Sequence, residues 1–180
     1  RGRFVLKGNH SKSYKFRVSH SKNKRFEDWS LSVDRQGGAL VLEVFNVALG
    51  AQWKHSVRAE FYPEFDIEIE GPAVPATIAW REGSLNVSDW SANLEAAYLS
   101  GHFDVRRFKG QLNLHAGEGQ IRISEADGHL ILKGEKGRVE LNQVRASVDL
   151  NWLQGVLRGE NLSGPLAMDL ASGNAQLRGI

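Results

Sequence analysis

The sequence has no cysteine, four prolines and no apolar run that approaches the ~20 residues of a membrane-spanning helix. The lack of cysteine excludes a disulfide scaffold, a zinc–thiolate site and a cysteine nucleophile, and it leaves the cellular compartment open. No signal-like segment follows Arg1, so we expect the native targeting segment to be missing from this sequence. The 180 residues are 41% hydrophobic and 24% charged, which is typical of a folded, core-forming domain.

Charge is distributed unevenly along the chain, although the net charge of +2 is too small to predict nucleic-acid binding. Residues 1–30 contain nine Lys and Arg against two acidic residues, whereas residues 61–100 contain seven acidic residues against one Arg. The simplest interpretation is that these segments form neighbouring strands that neutralise each other. The alternative is a basic patch for an anionic lipid, glycan or phosphate, formed by Lys12, Lys15, Arg17, Lys22, Lys24 and Arg25.

A nine-residue repeat dominates the second half of the chain. Each repeat begins with Gly or Ala, at positions Gly83, Ala92, Gly101, Gly110, Gly119, Gly128, Gly137, Ala146, Gly155, Gly164 and Gly173. Apolar residues follow two and four positions later, with Gly159 as the one exception, and polar residues lie between them. This alternation indicates a short strand with one buried face, and the leading glycine suits a tight corner.

Two arrangements fit the repeat: an antiparallel meander, or a coil in which two units make one turn and residues 18 apart stack in parallel. Steps of 18 place opposite charges one above another, in a ladder of Asp104, Arg122, Glu140 and Arg158. Steps of nine would instead place Glu140 beside Asp149, which repel each other. The sequence therefore favours an all-β parallel β-solenoid with about two units per coil.

The first part of the chain is also rich in strand signals but does not follow the repeat. Polar and apolar residues alternate over 14–18, 57–61 and 65–69, and the more continuously apolar 39–45 predicts a central strand. We predict an irregular β-rich region over 1–72, packed onto a repetitive solenoid over 73–180. The last unit stops at Ile180 without a polar cap, so we expect either further coils or pairing with another copy through this end.

The sequence predicts no catalytic residue, no cofactor site and no metal site. The six histidines have neither helical i, i+4 spacing nor a cysteine partner, and the glycine repeat lacks the paired glycines and regular Asp of calcium-binding β-rolls. Asp104 and Glu140 are separated by Arg122, which would keep both carboxylates ionised, so their ladder is interpreted as structural. The five tryptophans are assigned mainly to core and corner packing, with sugar stacking by a surface tryptophan as the alternative.

The layout resembles a bacterial putative-adhesin family of unknown function that forms right-handed parallel β-helices. The resemblance lies in a proline-led segment followed by glycine-punctuated units, here residues 63–69, 83–87, 100–105 and 109–114. It implies an extracytoplasmic protein, in the periplasm or at the cell surface, with a cell-surface glycan, a lipid headgroup or a protein as partner. The family offers no catalytic residues to transfer to this sequence.

The leading functional hypothesis is a non-enzymatic binding, adhesin-like or scaffold module of the bacterial envelope. One alternative is a glycan-processing enzyme of the parallel β-helix type, because such folds host lyases and hydrolases. A second is a self-assembling filament element of the bactofilin kind, in which uncovered solenoid ends stack.

Overall fold

A computed structural model describes residues 2–10, 13, 15–20, 29–36, 39–46 and 65–180. The described chain is all-β and forms a parallel β-solenoid of about six turns, as the repeat predicts. Its strands are β1 (Gly2–Asn9), β2 (Lys15–His20), β3 (Trp29–Gln36), β4 (Ala39–Asn46), β5 (Phe65–Pro72), β6 (Ala76–Trp90), β7 (Leu94–Leu162) and β8 (Leu166–Arg178). The 69-residue β7 bends round successive corners of the coil while keeping its ladder with the turns above and below it.

The stacking register is 18 residues, which confirms the parallel coil and excludes the antiparallel meander. β6 pairs with β7 in parallel, with Gly83 opposite Gly101 and Leu85 opposite Phe103. The same step recurs at the other end of the solenoid, where β7 pairs with β8. Two nine-residue units therefore make one turn, and like positions of alternate units come into contact.

The core is a stack of apolar ladders between the two strands of each turn. One ladder consists of Leu85, Phe103, Ile121, Val139 and Leu157, all of them buried. The facing ladder consists of Leu94, Leu112, Leu130 and Val148, also buried. Each such side chain contributes about 1.5–3 kcal/mol through removal from water, so the alternation of the repeat is the main source of stability.

The leading glycines form a corner at which successive turns touch through their backbones. At Gly101 the φ angle is +146°, and an added Cβ would lie 1.9 Å from the carbonyl oxygen of Gly83. Gly119 is in the same position relative to Gly101, with φ +151°. Both the backbone conformation and the lack of space require glycine here.

A second corner uses the left-handed conformation at residues other than glycine, which the sequence analysis did not predict. Five residues 18 apart have φ between 52° and 56°: Asp89, Arg107, Glu125, Gln143 and Asn161. Their Cβ atoms make this region unfavourable by roughly 1–2 kcal/mol per residue, so the stack must impose the conformation. We call these five residues the left-handed corner.

The N-terminal strand β1 is inserted into the stack as a rung. Phe4 lies opposite Ile67 of β5 on one side and opposite Leu85 of β6 on the other, and these two partners are themselves one period apart. Residues 2–6 read Gly-Arg-Phe-Val-Leu, the same pattern of glycine and alternating apolar residues as the later repeat units. The chain thus uses a segment from outside the repeat to fill one level of the coil.

The acidic strand β5 lies between two basic strands, which is the neutralisation that the charge distribution predicts. On one side, Lys7 of β1 lies 4.0 Å from Glu70. On the other, β2 runs antiparallel to β5, and Arg17 Nη1 lies 3.4 Å from Glu68 Oε2. A hydrogen bond from Asn9 and the charges of the neighbouring lysines lower the pKa of Glu70.

The remaining described strands form a hairpin beside β6. β3 and β4 are antiparallel, and Leu40 of β4 pairs with Ala76. β4 therefore lies between two strands, as predicted for the apolar run 39–45. The strand signal over 57–61 falls outside the described residues, and the proposed boundary between 72 and 73 stays a prediction.

Candidate functional site

A groove of about 880 Å³ opens at the corner of the solenoid that follows the second strand of each turn. At this corner, four positions stacked 18 residues apart are large, small, small and large: Tyr98, Ala116, Gly134 and Trp152. The two small residues, Ala116 and Gly134, line the opening and leave a notch at their levels. We call this feature the corner groove. Its volume is within the range of small-molecule sites.

The walls of the corner groove are aromatic and aliphatic. Trp80 stacks on Tyr98 with ring centroids 4.8 Å apart and an interplanar angle of 23°, which forms the lower wall. Leu99 stands beside this pair and is 54% exposed, and Leu153 stands at the upper wall and is 56% exposed. Since Leu99 and Leu153 are three turns apart, their backbones are separated by roughly 14 Å along the stack.

Gly134, which lines the groove, is in close contact with a core tryptophan. Trp152 is only 2% exposed, and a Cβ placed on Gly134 would lie 2.2 Å from Cη2 of its indole ring. The ring therefore covers Gly134 closely. Two exposed leucines, Leu99 and Leu153, complete the walls of the groove.

Four polar residues surround the corner groove: His115, Lys133, Glu135 and Asn151, all of them exposed. None takes part in an ion pair or a side-chain hydrogen bond with another described residue. On other parts of the same turns, six ion pairs join charged side chains, for example Asp127 with Arg145 at 3.1 Å. These four polar side chains, which pair with no other described residue, can therefore bind a ligand. Many other charged side chains on the same turns are already paired with each other.

Two buried hydrogen-bond donors among the lining residues have no partner within the described part of the chain: Trp80 Nε1 and Tyr98 Oη. The same is true of Trp90 Nε1 and Trp152 Nε1 in the core, and a buried unsatisfied donor costs about 1–3 kcal/mol. Burial raises the pKa of Tyr98 to about 12, which keeps its hydroxyl protonated in the physiological range.

The predicted charge ladder stacks as the 18-residue step requires, but its contacts are uneven. Arg122 Nε donates a 2.9 Å hydrogen bond to Glu140 Oε2, and Arg138 lies 3.6 Å from the same carboxylate. Asp104 and Arg158 occupy the levels below and above, without an ion pair to another described residue. These side chains lie on the outer face of the strand, away from the corner groove.

The strongest ion pair belongs to the left-handed corner. Arg107 donates two hydrogen bonds to the carboxylate of Asp89, one of them 2.9 Å from Nη2 to Oδ2. This contact lowers the pKa of Asp89 and raises that of Arg107. Both side chains are exposed, so solvent screens the pair and its contribution to the stability of the fold is small.

The predicted basic patch is described only in part. Lys15 and Arg17 lie on β2 with exposed side chains, and both are opposite acidic residues of β5. Lys12, Lys22, Lys24 and Arg25 lie outside the described residues. The two described members are therefore partly neutralised within the molecule, and the patch as a ligand site stays a prediction.

The sequence analysis did not identify the corner groove. Its assignment of tryptophans to the core is correct for Trp90 and Trp152, both of which are buried. The signal for the groove was present in steps of 18, as a pair of small residues between Tyr98 and Trp152. Residue size at one corner, without charge or a motif, is a weak signal in a sequence whose other regularities are so strong.

Comparisons with known proteins add a structural likeness. No family model matches the sequence, and no curated protein matches it. A solved structure described as a putative cell adhesion protein from Clostridium sporogenes matches with a TM-score of 0.42 and 13% identity, over 98% of this chain and 86% of that one.

The described residues contain no cluster of three or more potential metal ligands. They also form no helix with the length and apolar character needed to span a membrane.

Proposed function

We propose that this chain is a non-enzymatic binding module of the bacterial envelope, adhesin-like in role and extracytoplasmic, which holds its ligand in the corner groove. One observation carries the proposal: at one notch of a regular solenoid, the exposed Leu99 and Leu153 lie beside polar side chains that pair with no other described residue. A concave, mostly apolar site with a few convergent polar groups is the usual form of a ligand site.

The chemistry of the groove supports binding rather than catalysis. Glu135 is the single carboxylate among the described residues that line it. Glycoside hydrolysis uses a pair of carboxyl groups about 5–10 Å apart. The rigid axial ladder of the solenoid also suits a binding role, because it holds the groove residues in fixed relative positions without a ligand.

The proposal is tested by removing the two exposed walls together. We expect Leu99→Ser with Leu153→Ser to abolish binding of the fluorescently labelled protein to bacterial cells and isolated envelope fractions, measured by flow cytometry and sedimentation. Both side chains are more than half exposed, so the fold should be retained, which circular dichroism checks.

The matched control is Ile180→Ser, which removes an exposed apolar side chain that does not line the groove. The control should bind like the unsubstituted protein. If the double variant binds as well as the control, the corner groove is not the binding site and the proposal is wrong.

A further inference from the structure

We infer that the ligand of the corner groove is a neutral oligosaccharide. This inference rests on the proposed function and identifies the ligand class of the same site. It follows from three properties of the groove: the pairing of backbone groups along its middle turns, the balance of charge, and the presence of apolar walls beside groups that both donate and accept hydrogen bonds.

The groove recognises its ligand through side chains. In the turns that form it, the backbone N–H and C=O groups of β6, β7 and β8 are directed along the solenoid axis into the parallel ladders. An extended peptide captured by strand addition needs an open sheet edge, and the middle turns of the groove are paired on both sides, whereas the described partners of Ala79 and Trp80 all lie on β7. The most common route by which β-proteins bind peptides is therefore closed along the middle turns of this site.

The charge around the groove is balanced. Lys133 and Glu135 are two positions apart on the same turn and both line the notch. An anionic ligand would be held by Lys133 and repelled by Glu135, and a cationic ligand would meet the reverse arrangement. A ligand without net charge gains from both groups, since each can hydrogen-bond to a hydroxyl.

The polar and apolar surfaces of the groove correspond to those of a sugar. Pyranose rings present apolar C–H faces and a rim of hydroxyl groups, each of which both donates and accepts. The exposed leucines offer apolar surface to such faces, while His115 and Asn151 can donate to and accept from the rim. A space of about 880 Å³ is adequate for a short oligosaccharide segment.

The experiment uses the full chain and three neutral hexasaccharides as probes: cellohexaose, maltohexaose and hexa-N-acetylchitohexaose. Binding is measured by isothermal titration calorimetry and by saturation-transfer NMR. We expect at least one probe to bind, with an affinity that changes little between roughly 0.05 and 0.5 M NaCl because no net charge is involved. A hyaluronan hexasaccharide, which carries carboxylates, should bind more weakly than its best neutral counterpart.

Asn151→Ala should weaken binding of that probe by about tenfold, the loss of one well-formed hydrogen bond. The matched control is Asn142→Ala, which removes an exposed amide on a part of the turn outside the groove. The control should bind as the unsubstituted protein does. Equal binding by the two variants would overturn the assignment of Asn151 and of the groove as the sugar site.

The test separates this inference from the function on which it rests. If none of the neutral probes binds but Leu99→Ser with Leu153→Ser still abolishes attachment to cells, the ligand is not a neutral oligosaccharide and the binding function stands. A preference for the anionic hexasaccharide, lost at high salt, would likewise overturn the inference alone. If neither sugars nor cells distinguish the groove variants from their controls, both proposals are wrong.

Discussion

Replacing Gly119 by alanine should test whether the turns of this solenoid rest on one another at the glycine corner. The added Cβ would lie 1.9 Å from the carbonyl oxygen of Gly101, whereas ordinary contacts are 3.4–4 Å. The φ angle of +151° is also one that side-chain-bearing residues rarely adopt. The turn must therefore move away from its neighbour, change its backbone conformation, or do both.

The expected loss of stability can be worked from these two effects. Holding a residue other than glycine in such a conformation costs about 1–3 kcal/mol, and forcing apart a packed contact costs a similar amount. Gly119→Ala should therefore lower the free energy of unfolding by about 2–6 kcal/mol, out of the roughly 5–15 kcal/mol typical of a domain. Urea denaturation followed by circular dichroism and tryptophan fluorescence measures this change.

Ala146 provides the control: it occupies a leading position in the other column of repeat units, half a turn round the coil from the column of Gly119, and alanine is its natural residue. Ala146→Gly should cost no more than about 1 kcal/mol, mainly through the entropy of the unfolded chain. A loss below about 1 kcal/mol for Gly119→Ala would contradict the close approach of the backbones, and with it the explanation of why the repeat begins with glycine.

Three further predictions concern the left-handed corner and the inserted strand. Asp89→Asn should lower the stability of the fold by less than about 1 kcal/mol at neutral pH. The folded-state pKa of Asp89 lies below the ordinary 3.8, so the difference in stability from the unsubstituted protein should disappear as the pH falls through the folded-state pKa. A difference that grows in acid would be inconsistent with the pair. Gln143→Gly should be neutral or stabilising in urea denaturation, since it relieves a positive φ angle, whereas Asn142→Gly on the adjoining strand residue should cost about 0.5–1 kcal/mol. The pair Val5→Cys with Asn86→Cys should form a disulfide in this cysteine-free chain and raise the unfolding free energy by about 2–4 kcal/mol, as judged by non-reducing electrophoresis and denaturation; failure to form it would contradict the parallel register of β1 with β6.

The solenoid could be predicted from the sequence because its rule is local and repeats. One unit specifies one strand and one corner, and the sign of the outward charges distinguishes a step of 18 from a step of nine. Arg122 and Glu140 illustrate this, since their 2.9 Å contact joins residues one period apart. Each repeat supplies the same information again, so single exceptions such as Gly159 do not obscure the pattern.

The left-handed corner could not be predicted in the same way. Its members include an arginine, a glutamate and a glutamine, which have no shared preference for positive φ. Their conformation is imposed by the turns above and below. The position of β1 has a similar cause: its sequence fits the repeat, but nothing local indicates that it enters the stack between strands that lie more than 60 residues further along the chain.

The corner groove shows how such a fold can acquire a site at little cost to its stability. The axial ladders and the inward apolar residues carry the stability, so the exposed side chains around the notch, such as Leu99 and Asn151, can change without disturbing either. Gly134 serves two purposes at once: it lines the groove, and it leaves room for the indole of Trp152, which would clash with any added Cβ. The same small residue thus shapes the notch and accommodates a core side chain. A larger residue at position 134 would displace the indole ring of Trp152 before it filled the groove. The shape of the groove and the packing of Trp152 are therefore coupled through two neighbouring turns.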